Sequence, residues 1–207
     1  MRRRSVSSAL AVKIKEYAFD GVWAENFGRP EVGSKWMVWG DTGAGKSSFV
    51  MQLAKYMTRF GRVEYYADEE GLESRSLQRR LEMFGMRSVQ RRFMMFCEAD
   101  FDDILARLDM PRSAEVYIFD SWQTMHFTYE QFRMLYRKYS HKTMIWVSRA
   151  EHNVPMGVSA RRAQFDCDVK IFVKGYGAKC LGRFTPEAGK EYIIWDDGYA
   201  NLLKTVI

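Results

Sequence analysis

The chain has 207 residues, 47% of them hydrophobic, which suits one sizeable domain with small additions and falls short of two full ones. Lys and Arg outnumber Asp and Glu by 32 to 26, a formal charge of +6 that favours a polyanionic partner. Cys97, Cys167 and Cys180, with only His126, His141 and His152 beside them, exclude a disulfide framework or a zinc site, and no apolar run reaches the roughly 18–20 residues of a membrane span, so a reducing, cytoplasmic setting without a membrane is expected.

In chain order, residues 1–30 read as an amino-terminal helix or arm: from Ser5 to Asp20, Leu10, Ile14, Tyr17 and Ala18 fall at helical spacing. Such a helix either packs on its own domain or docks on a neighbouring subunit. Gly28-Arg29-Pro30-Glu31 then bends the chain into a core spanning residues 31–207.

The apolar run Trp36 to Trp39 leads into Gly40-Asp41-Thr42-Gly43-Ala44-Gly45-Lys46-Ser47, and Ser48-Phe49-Val50-Met51 continues as an apolar-periodic helix. Strand, glycine-rich loop and helix in that order make G-x-x-x-x-G-K-[ST] a phosphate-binding loop. Its amides and the helix start can cradle a β-phosphate, Lys46 can reach between β- and γ-phosphates, and the Ser47 hydroxyl can hold Mg²⁺.

A second strand, Val63 to Ala67, exits into Asp68-Glu69-Glu70, where three adjacent carboxylates repel one another unless a cation or a positioned water uses them. A helix over Glu73 to Phe84 and a strand over Phe93 to Phe96 follow, then a short helix around Ile104-Leu105 closed by Pro111. Val116 to Asp120 reads as a strand buried on both faces that delivers Asp120 to a ligand crevice, where it can hold a water ligand of Mg²⁺. Past a helix from Glu130 to Tyr139, the buried strand Met144 to Val147 exits into Ser148-Arg149. His152 to Gln164, with Arg161 and Arg162, has little periodicity and reads as a mobile loop. Asp168 to Lys174 alternates as a half-exposed strand. Gly175-Tyr176-Gly177 turns into strands over Lys179 to Phe184 and Glu191 to Trp195, and Asp196-Asp197-Gly198 turns into a closing Leu202 to Val206 segment.

Hydrolysis at a phosphate loop requires an oriented water and a base to accept its proton. Glu69 is the first candidate, Glu70 the second and Asp68 a weaker third. Arg149 could answer the γ-phosphate within the subunit, while Lys179 and Arg183 could reach it from an adjacent one. Arg161 and Arg162 could contact a nucleic-acid backbone. No Asn-Lys-x-Asp base-reading element is present, so ATP is preferred to GTP.

The constellation resembles the RecA-like ATPase superfamily, including the DnaB-type helicase core, the KaiC-like ATPases and single-domain phage or plasmid members. GDTGAGKSSFVMQLA resembles the family's phosphate loop and helix, YYADEE the strand ending in its catalytic glutamate at Glu69, and VYIFDS its second nucleotide motif at Asp120. WVSRAE resembles the strand bearing the γ-phosphate sensor, usually glutamine, near Arg149 here. VPMGVSARRAQFDCDVKIFV is similar to the helicase core's DNA-facing loop. The family's Lys-x-Arg pair has its nearest match in Lys179 and Arg183, more widely spaced than usual, with Arg183 favoured.

The resemblance implies an α/β RecA-like P-loop fold: a mostly parallel central sheet, helices on both faces and a β-rich carboxyl-terminal extension. It further implies ATP and Mg²⁺ as ligands and Gly40 to Ser48 as the nucleotide-binding residues, with assembly into a ring, hexameric or otherwise, or a filament. The expected output is ATP hydrolysis coupled to DNA, single-stranded favoured, of helicase, recombination or annealing type. The alternative is a DNA-independent regulatory or assembly ATPase acting on a protein partner.

Overall fold

In the computed structural model the described residues are 3–67, 71–184 and 190–205. The apolar runs of the sequence become parallel strands of one sheet: β1 (Lys35–Gly40), β2 (Val63–Ala67), β3 (Phe93–Phe96), β4 (Val116–Asp120), β5 (Thr143–Glu151) and β7 (Val169–Lys174). β8 (Gly177–Cys180) and β9 (Glu191–Ile193) extend it antiparallel, and the two-residue β6 (Val154–Pro155) pairs back on β5. The order is β3-β2-β4-β5-β1-β7-β8-β9, among the described residues.

Side chains alternate across each strand, so one set of residues builds two cores. Trp36, Val38, Ile118, Ile145, Val147 and Ile171 face the helices α2 (Gly21–Phe27), α3 (Lys46–Met57) and α4 (Arg75–Met83). Met37, Trp39, Tyr117, Phe119, Met144 and Trp146 face α5 (Phe101–Asp109), α6 (Tyr129–Lys138) and α7 (Val158–Asp166). Helices on both faces explain why these strands read as continuous apolar runs. Capping boxes start α5 (Asp100 with Asp103) and α6 (Thr128 with Gln131).

Four expectations are corrected. The helix over Ser5 to Asp20 is only α1 (Val6–Leu10); beyond it the chain is extended, with a bridge from Glu16 to Glu31. Tyr17 and Phe19 explain this, because residues two apart enter the core together only from an extended backbone; both are buried, and the Tyr17 hydroxyl lies 2.8 Å from Thr143 Oγ1. The loop read over His152 to Gln164 is instead a tight hairpin into β6 followed by α7. His152 and Asn153, at φ 52° and 63°, supply the left-handed pair such a two-residue turn requires. The strand read over Lys179 to Phe184 stops at Cys180. After β9, Asp196 and Asp197 open a helix, α8 (Asp196–Thr205), where acidic side chains complement the helix amino terminus.

At the foot of β1, Lys35 is buried and its ammonium donates to the carbonyls of Gly33 (2.6 Å), Lys142 (2.6 Å) and Tyr139 (3.2 Å). Beside it, the Lys35 amide donates to Asp168 Oδ2 at 3.0 Å, tying β1 to the start of β7. Burial lowers the Lys35 pKa from 10.5 to about 8, against a smaller opposing pull from Asp168. Between those two values the unfolded chain holds a proton that the folded one has released, so this residue's contribution to stability rises with pH. The stability of the wild-type protein relative to Lys35→Met, from urea melts, is expected to rise by about 1 kcal/mol per pH unit between roughly pH 8.5 and 9.5. A flat difference would mean that Lys35 keeps its proton throughout.

Candidate phosphate-binding cleft

Strand register assembles the site. Across parallel pairs, Gly40 sits beside Arg149 and Asp120 beside Val147, so β1, β5 and β4 end at nearly one level. Alternation then places Asp120 and Arg149 on the sheet face that carries α3. The result is a cleft of about 450 Å³ lined by Thr42, Gly43, Gly45, the start of α3 (Lys46 to Ser48) and Tyr176 beside the loop, and by Asp120, Ser121 and Arg149 from the strand ends. It lies at the carboxyl ends of the parallel strands, where open α/β sheets hold ligands.

Two loop glycines have separate reasons. Gly40 runs so close to β7 that a Cβ there would fall on the carbonyl of Val173. Gly45 is the N-cap of α3 at φ 99°, a left-handed conformation that side chains resist, and a Cβ would also press the Tyr176 ring at 3.1 Å. Because the N-cap is glycine, no side chain caps the first turn of α3, and the helix start can receive an anion. The Lys46 ammonium donates to the Asp41 carbonyl at 2.7 Å, folding back over the loop.

Asp120 is 7% exposed and accepts a hydrogen bond from the Tyr65 hydroxyl at 2.5 Å. Gln123 braces the neighbouring strand exit: its amide nitrogen donates to Ser148 Oγ (2.9 Å) and the Met156 carbonyl (3.0 Å), and its oxygen accepts from the Arg149 amide (3.1 Å). Among the described residues, no cluster of three or more His, Cys, Asp or Glu could hold a metal. Ser47 and Asp120 offer one hydroxyl and one carboxylate, a donor set suited to Mg²⁺, which keeps several waters and takes its remaining ligands from phosphate.

The sequence-expected loop residues, Asp120 and Arg149 thus come together. Lys179 and Arg183 do not line this cleft. Lys179 is exposed on β8, and Arg183 lies 3.4 Å from Asp168 Oδ1 at the foot of the sheet. Arg161 pairs with Glu151 at 2.5 Å and donates to the Pro155 carbonyl, while Arg162 stacks on the Tyr129 ring at 4.2 Å. Glu69, Glu70 and Asp68 lie outside the described residues; β2 ends at Ala67, in register with Asp120. Sequence reasoning missed Tyr65, Gln123 and Tyr176. The Gly-Tyr-Gly turn was visible, but its placement beside the loop follows only from β7 pairing with β1; the Tyr176 amide donates to the Ala44 carbonyl at 3.1 Å.

The architecture is the RecA-like P-loop fold. Two solved structures share it: a KaiC-like protein of the hyperthermophilic archaeon Pyrococcus horikoshii (TM-score 0.62, 18% identity, covering 87% of this chain and 94% of that one) and the flagellar accessory protein FlaH of Methanocaldococcus jannaschii (TM-score 0.61, 13% identity, 82% and 88%). No protein-family model matches the sequence. A search of curated protein sequences finds no match either. Among the described residues, no helix is long and apolar enough to cross a membrane.

Gly40→Ala is expected to cost about 3 kcal/mol in denaturant melts, the upper range for forcing atoms into filled space, and to weaken nucleotide binding. Gly43→Ala, at φ 77° with nothing within 4 Å of the added methyl, should cost only about 1–2 kcal/mol. Equal costs at the two positions would remove the role given to the Val173 contact.

Proposed function

We propose that the chain is a Mg²⁺-dependent ATPase acting as a homo-oligomer. The observation that carries this reading is the meeting of Lys46, Ser47 and Asp120 at the uncapped start of α3. Loop amides and the helix start hold the phosphates, Lys46 exchanges the Asp41 carbonyl for phosphate oxygens, and Arg149 meets the γ-phosphate from β5. Ser47 and, through a water, Asp120 would hold Mg²⁺, which would supply charge neutralisation on the phosphate oxygens. Glu69, two residues beyond Ala67, orients the attacking water and takes its proton, with Glu70 as the second candidate. Lys179 and Arg183 fit a cation supplied across a subunit boundary, in a ring or filament, since neither lines its own cleft. ATP is preferred to GTP because the sequence has no Asn-Lys-x-Asp element.

The wider reading couples hydrolysis to DNA, single-stranded favoured, in helicase, recombination or annealing work, and the net charge of +6 supports it. A DNA-independent regulatory or assembly ATPase is the second reading, favoured by the engagement of Arg161 and Arg162 within their own chain.

Lys46→Ala should abolish binding of a fluorescent ATP analogue. Glu69→Gln should keep binding and lower turnover by about 10²–10⁴-fold, the range for loss of a positioned base. Wild-type turnover in Glu69→Gln would remove the base assignment, and failure of the wild type to bind nucleotide with Mg²⁺ would overturn the whole reading. Turnover measured with and without single-stranded DNA separates the two outputs.

A further inference from the structure

The amino-terminal ends of β2, β3 and β4, at the end of the sheet away from the cleft, are ringed by arginines. Arg59 and Arg62 follow α3, Arg87, Arg91 and Arg92 precede β3, and Arg107 and Arg112 precede β4. They line two adjoining hollows of about 520 and 160 Å³ that share Arg91 and Arg92. Part of this charge is neutralised locally: Arg59 pairs with Asp20 at 2.7 Å, Arg62 with Glu115 at 3.4 Å, and Arg107 with the buried Glu64. Arg92 donates to the Thr58 carbonyl at 3.1 Å. Arg87, Arg91 and Arg112 are exposed and meet no carboxylate among the described residues.

Like charges gathered without counterions cost free energy in the free protein, and a bound polyanion relieves it. Among the described residues every cation lining the hollows is arginine, whose planar fork pairs bidentately with phosphate. The concavity bears on the kind of polyanion, because a strand of phosphates can follow linked hollows that a membrane surface cannot enter. Arg161 and Arg162, the pair that the sequence offers for this task, already have partners within the chain.

We propose that the arginine surface around Arg87, Arg91 and Arg112 binds the phosphodiester backbone of a nucleic-acid strand. This shares a partner with the wider reading above but uses the opposite end of the sheet from the nucleotide cleft.

The test is fluorescence anisotropy of a labelled oligo-dT of about 20 nucleotides, titrated with the full chain at several salt concentrations. Arg87→Gln/Arg91→Gln/Arg112→Gln should bind at least about tenfold more weakly than wild type, with the log–log salt slope reduced by about 2 for three lost contacts at about 0.7 each. Arg161→Gln/Arg162→Gln should bind like wild type. Thermal melts and binding of the fluorescent ATP analogue should be unchanged in the triple variant. The proposal is overturned if the triple variant binds the oligonucleotide as wild type does, or if the loss is confined to the Arg161/Arg162 variant. It is equally overturned if the wild type fails to bind at low salt, whether or not it binds vesicles containing anionic phospholipid. Failure of the ATPase reading would appear separately, as loss of ATP-analogue binding with the oligonucleotide titration intact.

Discussion

The parallel register of β1, β5 and β4 is the constraint on which the site depends. A slip of one residue in either pairing would turn Asp120 or Arg149 to the opposite face, away from α3, because side-chain direction reverses at each step along a strand. The register is held by what lies beneath it. Trp36 and Trp146, fully buried on opposite faces of neighbouring strands, leave no room for an alternative pairing. At the feet of β1, β5 and β7, Lys35 with its contacts to Lys142 and Asp168 fixes where pairing begins. A buried ammonium with three carbonyl acceptors is an expensive group to desolvate, and its position pins β1 to the segment that enters β5.

The cleft is assembled from four separate parts of the chain, three of them supported from elsewhere in the fold. Val173 limits Gly40 from β7, Tyr65 holds Asp120 from β2, and Gln123 braces the exit of β5. The glycine at the start of the phosphate loop is therefore required by a neighbour more than 130 positions along the chain as much as by the loop's own conformation.

Much of this was legible in the sequence. The phosphate loop, the apolar runs of β1, β4 and β5, and Asp120 are local signals: residue types at fixed spacing that determine the chain's conformation by themselves. Arg149 was legible as the polar exit of a buried strand. What could not be read depends on pairing between distant segments. Tyr65 is simply a strand residue until β2 lies beside β4, and Tyr176 is simply a turn residue until β7 lies beside β1. The segment from Tyr17 to Phe19 misled because its helical spacing and its alternation coexist, and burial against α3 and the sheet chose the latter. Arg161 and Arg162 read as contacts for a nucleic-acid backbone, and only the structure reveals Glu151 and Tyr129 beside them.

Tyr176 lines the cleft and packs edge-on against Trp195, their ring centroids 5.1 Å apart. Trp195 is 52% exposed, whereas Trp23, Trp36, Trp39, Trp122 and Trp146 are each at most 9% exposed. The six indoles therefore form two optical populations. A soluble quencher such as iodide reaches Trp195 and leaves the other five bright, so the quenchable fraction of the emission reports on a single ring one contact away from the phosphate loop. The protein carries its own probe of that cleft, without a label and without a substitution.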